Sequence, residues 1–160
     1  MPQPDSPRSD RAPFHRLGRA IAGIPRRRAE RYAPPFLWAA LIFFLSSLPG
    51  NAYPEVPVPN ADKFVHAMLY FPLGFWLARA ASASPAKSSL KRLTAAVAIG
   101  VLYGISDECH QLFVPLRTFS LMDWATDCVA VLAGTLAWSW WLRRCAGTAA
   151  CPHLSDETAK

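Results

Sequence analysis

The stretch LKRLTAAVAIGVLYGISDECHQLF, from Leu90 to Phe113, decides the reading of the fold. Lys91 and Arg92 open it, no charged residue interrupts it from Leu93 to Ser106, and Asp107, Glu108, His110 and Gln111 close it. An apolar run of this length predicts a helix that crosses a bilayer, since about 20 residues cover a hydrocarbon core roughly 30 Å thick. Gly100 and Gly104 form a small-x-x-x-small step that lets another helix come close. The acids then fall at the rim of the span, where ionisable groups are costly and mark a functional site.

Three further apolar stretches repeat the pattern. One runs from Pro35 to Leu48, short for a span unless the helix reaches back past Pro34 or the bilayer thins locally. The second runs from about Asp62 to Ala81 and the fourth from about Leu121 to Leu142, with Leu90 to Phe113 as the third. Pro54, Pro57 and Pro59 predict an extended loop from Asn51 to Ala61, Ser82 to Ser89 reads as a small-residue turn, and Pro115 breaks Val114 to Ser120. Glu55, Asp62, Asp107, Glu108, Asp123 and Asp127 all gather near the same alternate ends of these stretches.

Charge sets the expected orientation. Eight arginines precede Tyr32 (Arg8, Arg11, Arg16, Arg19, Arg26, Arg27, Arg28, Arg31), and with Asp5, Asp10 and Glu30 they carry +5 of the formal +6. Placing both termini in the cytoplasm puts 15 of the 17 Lys and Arg on that side and leaves Lys63 and Arg117 outside. Trp138, Trp140 and Trp141 beside Arg143 and Arg144 then form an inner-interface anchor. The basic leader fits topology and anionic lipid, and no interleaved aromatic or fold motif points to nucleic acid. The expected organisation is a disordered Arg/Pro-rich leader over residues 1–33, with a short basic amphipathic turn around Leu17 to Ile24. A four-helix membrane domain over 34–142 and a short cytoplasmic tail over 143–160 follow. The fold class is all-α, a bundle of four transmembrane helices in a bacterial inner membrane, and self-association stays open.

The four cysteines have neither metal-ligand spacing nor secreted-scaffold density. Cys145 and Cys151 read as reduced thiols of the tail, Cys109 and Cys128 as buried apolar thiols, and no disulfide is expected.

Within the outward cluster, Lys63, His66 and Tyr70 share one helix face, with Asp62 one position round and Gly74 continuing the stripe. Asp123, Asp127, Ala130 and Gly134 form a small, polar face expected to turn inward. Asp62 and Asp123 sit where N-caps sit, with Ser120 an alternative cap for the last helix. After Lys63 and Arg117 neutralise two acids, three carboxylates remain close together. That surplus fits general acid–base catalysis with histidine, a divalent ion held by Asp, Glu and His, or a hydrogen-bonding pocket for a zwitterionic headgroup or glycopeptide. No nucleophile elbow, phosphate loop or spaced metal motif chooses among them, and no cofactor is called for.

The ordered set Asp62-Lys63-x-x-His66, Glu108-x-x-Gln111, Pro115-x-Arg117 and Ser120-x-x-Asp123, within approximately Phe36 to Leu142, resembles the VanZ-like family of small bacterial membrane proteins. That family is named for a member linked to teicoplanin resistance. The resemblance implies a multi-helix integral membrane fold and an envelope role such as lowered glycopeptide sensitivity, and it implies no established catalytic mechanism. The family's polar positions fall on Asp62, Lys63, His66, Glu108, Gln111, Arg117 and Asp123. The chain departs from the pattern at Asp127 and Ala130, where an Asn and then a Gly are expected, and at Leu116, where a Gly commonly precedes the Arg. The expected binding residues are therefore Asp62, Lys63, His66, Asp107, Glu108, Gln111, Arg117, Ser120 and Asp123. Arg117 would meet an anionic group, Glu108 and Asp123 would accept from an amine or hydroxyl, and His66 and Gln111 would orient them. The expected partners are the lipid bilayer and a cell-wall precursor or lipid headgroup. A membrane-surface hydrolase or transferase on a lipid-linked substrate is the alternative. A proton- or cation-coupled transporter fits less well, because no charge lies deep in the inner half of any span.

Overall fold

The computed structural model describes residues 26–52, 59–82 and 90–146. These form four α-helices, α1 (Arg26–Ser46), α2 (Ala61–Ala81), α3 (Leu90–Gln111) and α4 (Leu121–Ala146), with a 3-10 turn over Gly50–Ala52. No strand occurs among the described residues, so the all-α class and the four helices stand as expected. The expected amphipathic turn near Leu17 lies outside the described residues, as do most of the Asn51–Ala61 loop and the 82–89 turn.

α1 is where the boundaries move. It starts at Arg26 rather than at Pro35, and both Pro34 and Pro35 lie inside it. The helix thus takes the backward extension that the short apolar run required, and its first turns draw on the arginine-rich segment. Pro72 likewise sits within α2 without ending it. At the entrance of α2 the N-cap is Asn60, in a left-handed conformation and without a side-chain capping bond, so Asp62 is not the cap. Ser120 caps α4: its Oγ accepts from the Asp123 N–H at 3.2 Å.

The bundle is organised around α2 and α4. A Cβ on Gly74 would overlap the Val131 main chain, and one on Gly134 would overlap that of Phe71, so the two helices cross almost backbone to backbone. Gly100 of α3 seats the Val131 side chain, its position for a Cβ lying only 2.6 Å from Val131 Cγ1. Tyr70, Leu73, Ala130, Val131 and Ile42 make the buried centre. Two bonds hold α1 to this centre, Trp38 Nε1 donating to Leu69 O at 2.7 Å and Tyr103 Oη donating to Ala39 O at 2.6 Å.

The helices lie antiparallel in sequence order, which brings the start of α2, the end of α3 and the start of α4 to one end. At the opposite end Arg31 donates to Ser82 O, Trp138 Nε1 donates to Ser82 Oγ, and Arg79 and Arg144 lie over the rings of Trp76 and Trp140.

The distribution of polarity is inverted. Asp107, Glu108, Gln111, Asp127, Thr135 and Ser139 are buried, whereas Phe36, Phe43, Phe64, Met68, Ile99, Leu102, Val129, Leu132 and Leu136 are exposed. Among the described residues no helix is long and apolar enough to cross a membrane, which corrects the expectation that α2, α3 and α4 each qualify by themselves. The physical reason is in the same distribution: the polar residues that turn inward dilute helices whose outer faces are apolar.

Candidate functional site

The polar end of the bundle is assembled from three helix termini and the rim loops. Lys63, His66 and Tyr70 do share a face of α2, and each reaches a carboxylate on another helix. Lys63 Nζ bridges Asp62 at 2.8 Å and Asp123 at 3.0 Å. His66 Nδ1 lies 3.0 Å from Asp127 Oδ1, and Tyr70 Oη donates to Asp107 Oδ2 at 3.2 Å. Gln111 Nε2, one turn after Asp107, donates to the same oxygen at 3.4 Å. Glu108 accepts the Ser120 backbone N–H on Oε2 at 2.8 Å, which ties the end of α3 to the cap of α4.

Burial separates two groups of acids. Asp62 is exposed and Asp123 half-buried, and their shared ammonium sits near solvent. Such a pair contributes little to stability. Asp107 (5% exposed), Glu108 (0%) and Asp127 (1%) are inside. Each of these three keeps one buried carboxylate oxygen, Asp107 Oδ1, Glu108 Oε1 and Asp127 Oδ2, without a hydrogen-bond partner. Most buried polar atoms in native structures are satisfied, so three orphaned oxygens at one end of a bundle need an explanation.

A cavity of about 480 Å³ opens beside this network. Its lining combines apolar Ile42, Leu45 and Leu69 with polar Asp62, His66, Asp107, Gln111 and Arg117. Of the expected binding residues, five line it. Lys63, Glu108, Ser120 and Asp123 do not: Lys63 and Asp123 are engaged with each other, Glu108 is sealed below, and Ser120 is spent on capping and on Glu108. Glu108 and Asp123 thus lie outside the lining of this cavity.

Two residues absent from the expected set belong to the network. Asp127 is fully buried against His66, on the inward-turned face that its spacing with Asp123 along α4 predicts. Tyr70 holds Asp107, and its signal was the shared face with His66. His110 goes elsewhere, stacking on Phe43 with ring centroids 4.7 Å apart and bonding Ser47 at 3.0 Å, so it fastens α1 to α3. Cys109 is exposed rather than buried, Cys128 is half-buried, and both are free thiols, as is Cys145.

The rim loops meet at one point. Gly50 N–H donates to Pro115 O at 3.1 Å, and a Cβ on Gly50 would overlap the Leu116 carbonyl. Leu116 itself has φ 61°, the left-handed region that favours glycine. That is the position where a glycine was expected before Arg117, and the backbone keeps the conformation although the residue is leucine.

Fold and site together define a small helical bundle with an apolar exterior, a carboxylate-rich interior at one end and a cavity leading to it. The family model described as VanZ/LLP1 matches residues 32–143, and the chain belongs to the VanZ/LLP1 family. None of the curated proteins and none of the solved structures matches it.

Proposed function

We propose that this chain is a VanZ-like protein of the bacterial inner membrane whose outward-facing cavity binds a cell-wall or lipid-linked molecule. The observation that carries the reading is the mixed lining of the cavity, which joins apolar Ile42, Leu45 and Leu69 to ionisable Asp62, His66, Asp107 and Arg117. A molecule with an acyl or prenyl portion and a polar head would meet both kinds of side chain. Arg117 supplies the donor for an anionic head, and Asp62 and Gln111 supply the acceptor and amide for its hydroxyls or amines.

Three observations support the membrane setting. The exterior is apolar and the interior polar, the arrangement lipid favours. The end opposite the acids carries Arg31, Arg79 and Arg144 with Trp76, Trp138 and Trp140, as an inner interface would. Family membership points the same way. Both termini then lie in the cytoplasm, and the cavity opens outward.

Glycopeptide tolerance, read with teicoplanin and vancomycin, is the phenotype this pocket would serve. The test is susceptibility to both in a sensitive host expressing the wild type or Arg117→Gln at matched membrane levels. A wild-type rise in tolerance abolished by Arg117→Gln is expected. Tolerance unchanged by the substitution would sink the pocket assignment, and no rise with the inserted wild type would sink the phenotype.

A further inference from the structure

Beside the cavity, the strongest unexplained feature is the cluster of His66, Glu108 and Asp127, of which only His66 is part of the lining. One from each of α2, α3 and α4, they offer one donor atom apiece, all within 4.8 Å of one another. Ligand atoms at roughly 2.1 Å from a tetrahedral Zn²⁺ stand about 3.4 Å apart, so small side-chain rotations close the set. Glu108 and Asp127 also hold two of the orphaned buried oxygens, Oε1 and Oδ2. Hydrogen bonding within the protein leaves these lone pairs over: Ser120 takes the other oxygen of Glu108, and His66 takes the other oxygen of Asp127. Lys63 is committed to Asp62 and Asp123. With both carboxylates ionised and the imidazole neutral, the form in which these groups ligate a metal, the set carries −2, and a divalent cation cancels it.

We propose that His66, Glu108 and Asp127 form a binding site for a single first-row divalent metal ion, Zn²⁺ being the ion best matched to one imidazole and two carboxylates. The imidazole argues against Mg²⁺ and Ca²⁺, which take all-oxygen shells. His66 also lines the cavity while Glu108 and Asp127 do not, so the ion is reached from the cavity past His66. An anionic head in the cavity would then have a cation to meet in addition to Arg117. The metal site goes beyond the envelope reading and does not require it.

The experiment uses the full chain purified in detergent, stripped with chelator and re-exposed to Zn²⁺ alone. Metal content after gel filtration and a competition titration are measured for the wild type, Glu108→Gln, Asp127→Asn, His66→Asn and Cys128→Ser. One Zn²⁺ per chain is expected in the wild type and in Cys128→Ser, with affinity lowered by more than roughly tenfold in the other three. A wild type that binds no Zn²⁺, or Glu108→Gln and Asp127→Asn proteins that elute as folded material and keep it, overturns the proposal. So does loss of binding in Cys128→Ser, which would put a thiol in the donor set. Where a variant fails to fold, X-ray absorption of the Zn²⁺-loaded wild type decides: nitrogen and oxygen neighbours with one imidazole support the site, and sulfur or no imidazole overturns it. None of these readouts involves drug susceptibility, so failure of the metal site and failure of the pocket are told apart.

Discussion

Gly134 lies so close to Phe71 that a methyl group on it would overlap the Phe71 carbonyl oxygen, with Phe75 N 2.8 Å away. The obstacle is main chain, which cannot rotate aside as a side chain can. Gly134→Ala should therefore force α2 and α4 apart and destabilise the bundle by about 1–3 kcal/mol. Thermal unfolding in detergent checks this, and Gly104→Ala is the contrast: its nearest neighbours stand at 3.4 Å, ordinary contact, and it should be tolerated far better.

Leu116 predicts a change of the opposite sign. A leucine at φ 61° carries a left-handed penalty of roughly 1–2 kcal/mol, while a glycine costs about 0.4–1 kcal/mol through the unfolded chain. Its side chain is exposed, so little packing is lost. Leu116→Gly should leave stability unchanged or raise it by up to about 1 kcal/mol, and Leu116→Val should lower it. Denaturant titration of the two variants side by side separates backbone conformation from side-chain contact.

Ser120 joins two helices with one residue. Ser120→Ala removes the Oγ acceptor for Asp123 N–H and leaves the backbone N–H to Glu108 in place. The expected loss is the cap alone, about 0.5–2 kcal/mol. Amide exchange localised to the first turn of α4, with the Glu108 region unaffected, is the signature to look for.

Tyr70→Phe removes the better of the two donors to Asp107 and leaves Gln111 at 3.4 Å as the other. Leaving a buried carboxylate oxygen short of a donor costs about 1–3 kcal/mol. A double-mutant cycle with Asp107→Asn should recover much of that loss, because the remaining amide is neutral. Equal, additive losses would show that the hydroxyl acts through packing instead.

The proposed topology is checked with single cysteines in a background where all four native cysteines are replaced. Asn51→Cys and Lys91→Cys fall at opposite ends of the bundle and both positions are exposed. A membrane-impermeant maleimide added to intact cells or spheroplasts should label Asn51→Cys and spare Lys91→Cys until the membrane is opened. The reverse pattern would invert the orientation, and labelling of both would argue against a membrane barrier between them.

How far the residues alone foretold this structure differs by element. The placement of α2, α3 and α4 was legible because each is a long apolar run bounded by charged or polar residues, as at Asp62, Gln111 and Ser120. The start of α1 was not, because arginines and the Pro34–Pro35 pair hide a helix that tertiary contacts with Leu69 and Tyr103 help to hold. The shared face of Lys63, His66 and Tyr70 was legible from spacing. Which acid each would meet was not, since that depends on helix rotation and on the depth at which Gly74 and Gly134 let α2 and α4 cross. Asp127 shows the cost: its period placed it on the inward face, but only the crossing puts it against His66.

The chain order of the buried acids bears on how the protein is made. Asp107 and Glu108 emerge from the ribosome before the residues of α4 that enclose them, and Val131 and Gly134, which lock α2, come later still. A nascent chain that ends at Gln111 would have its carboxylates uncovered and its glycine at position 74 facing nothing from α4. Under the proposed membrane placement, release of the first three helices into lipid before the fourth arrives would strand those acids against hydrocarbon. Assembly is therefore a step that α4 completes, and a premature stop within α4 should yield a product handed to proteolysis rather than a smaller stable bundle.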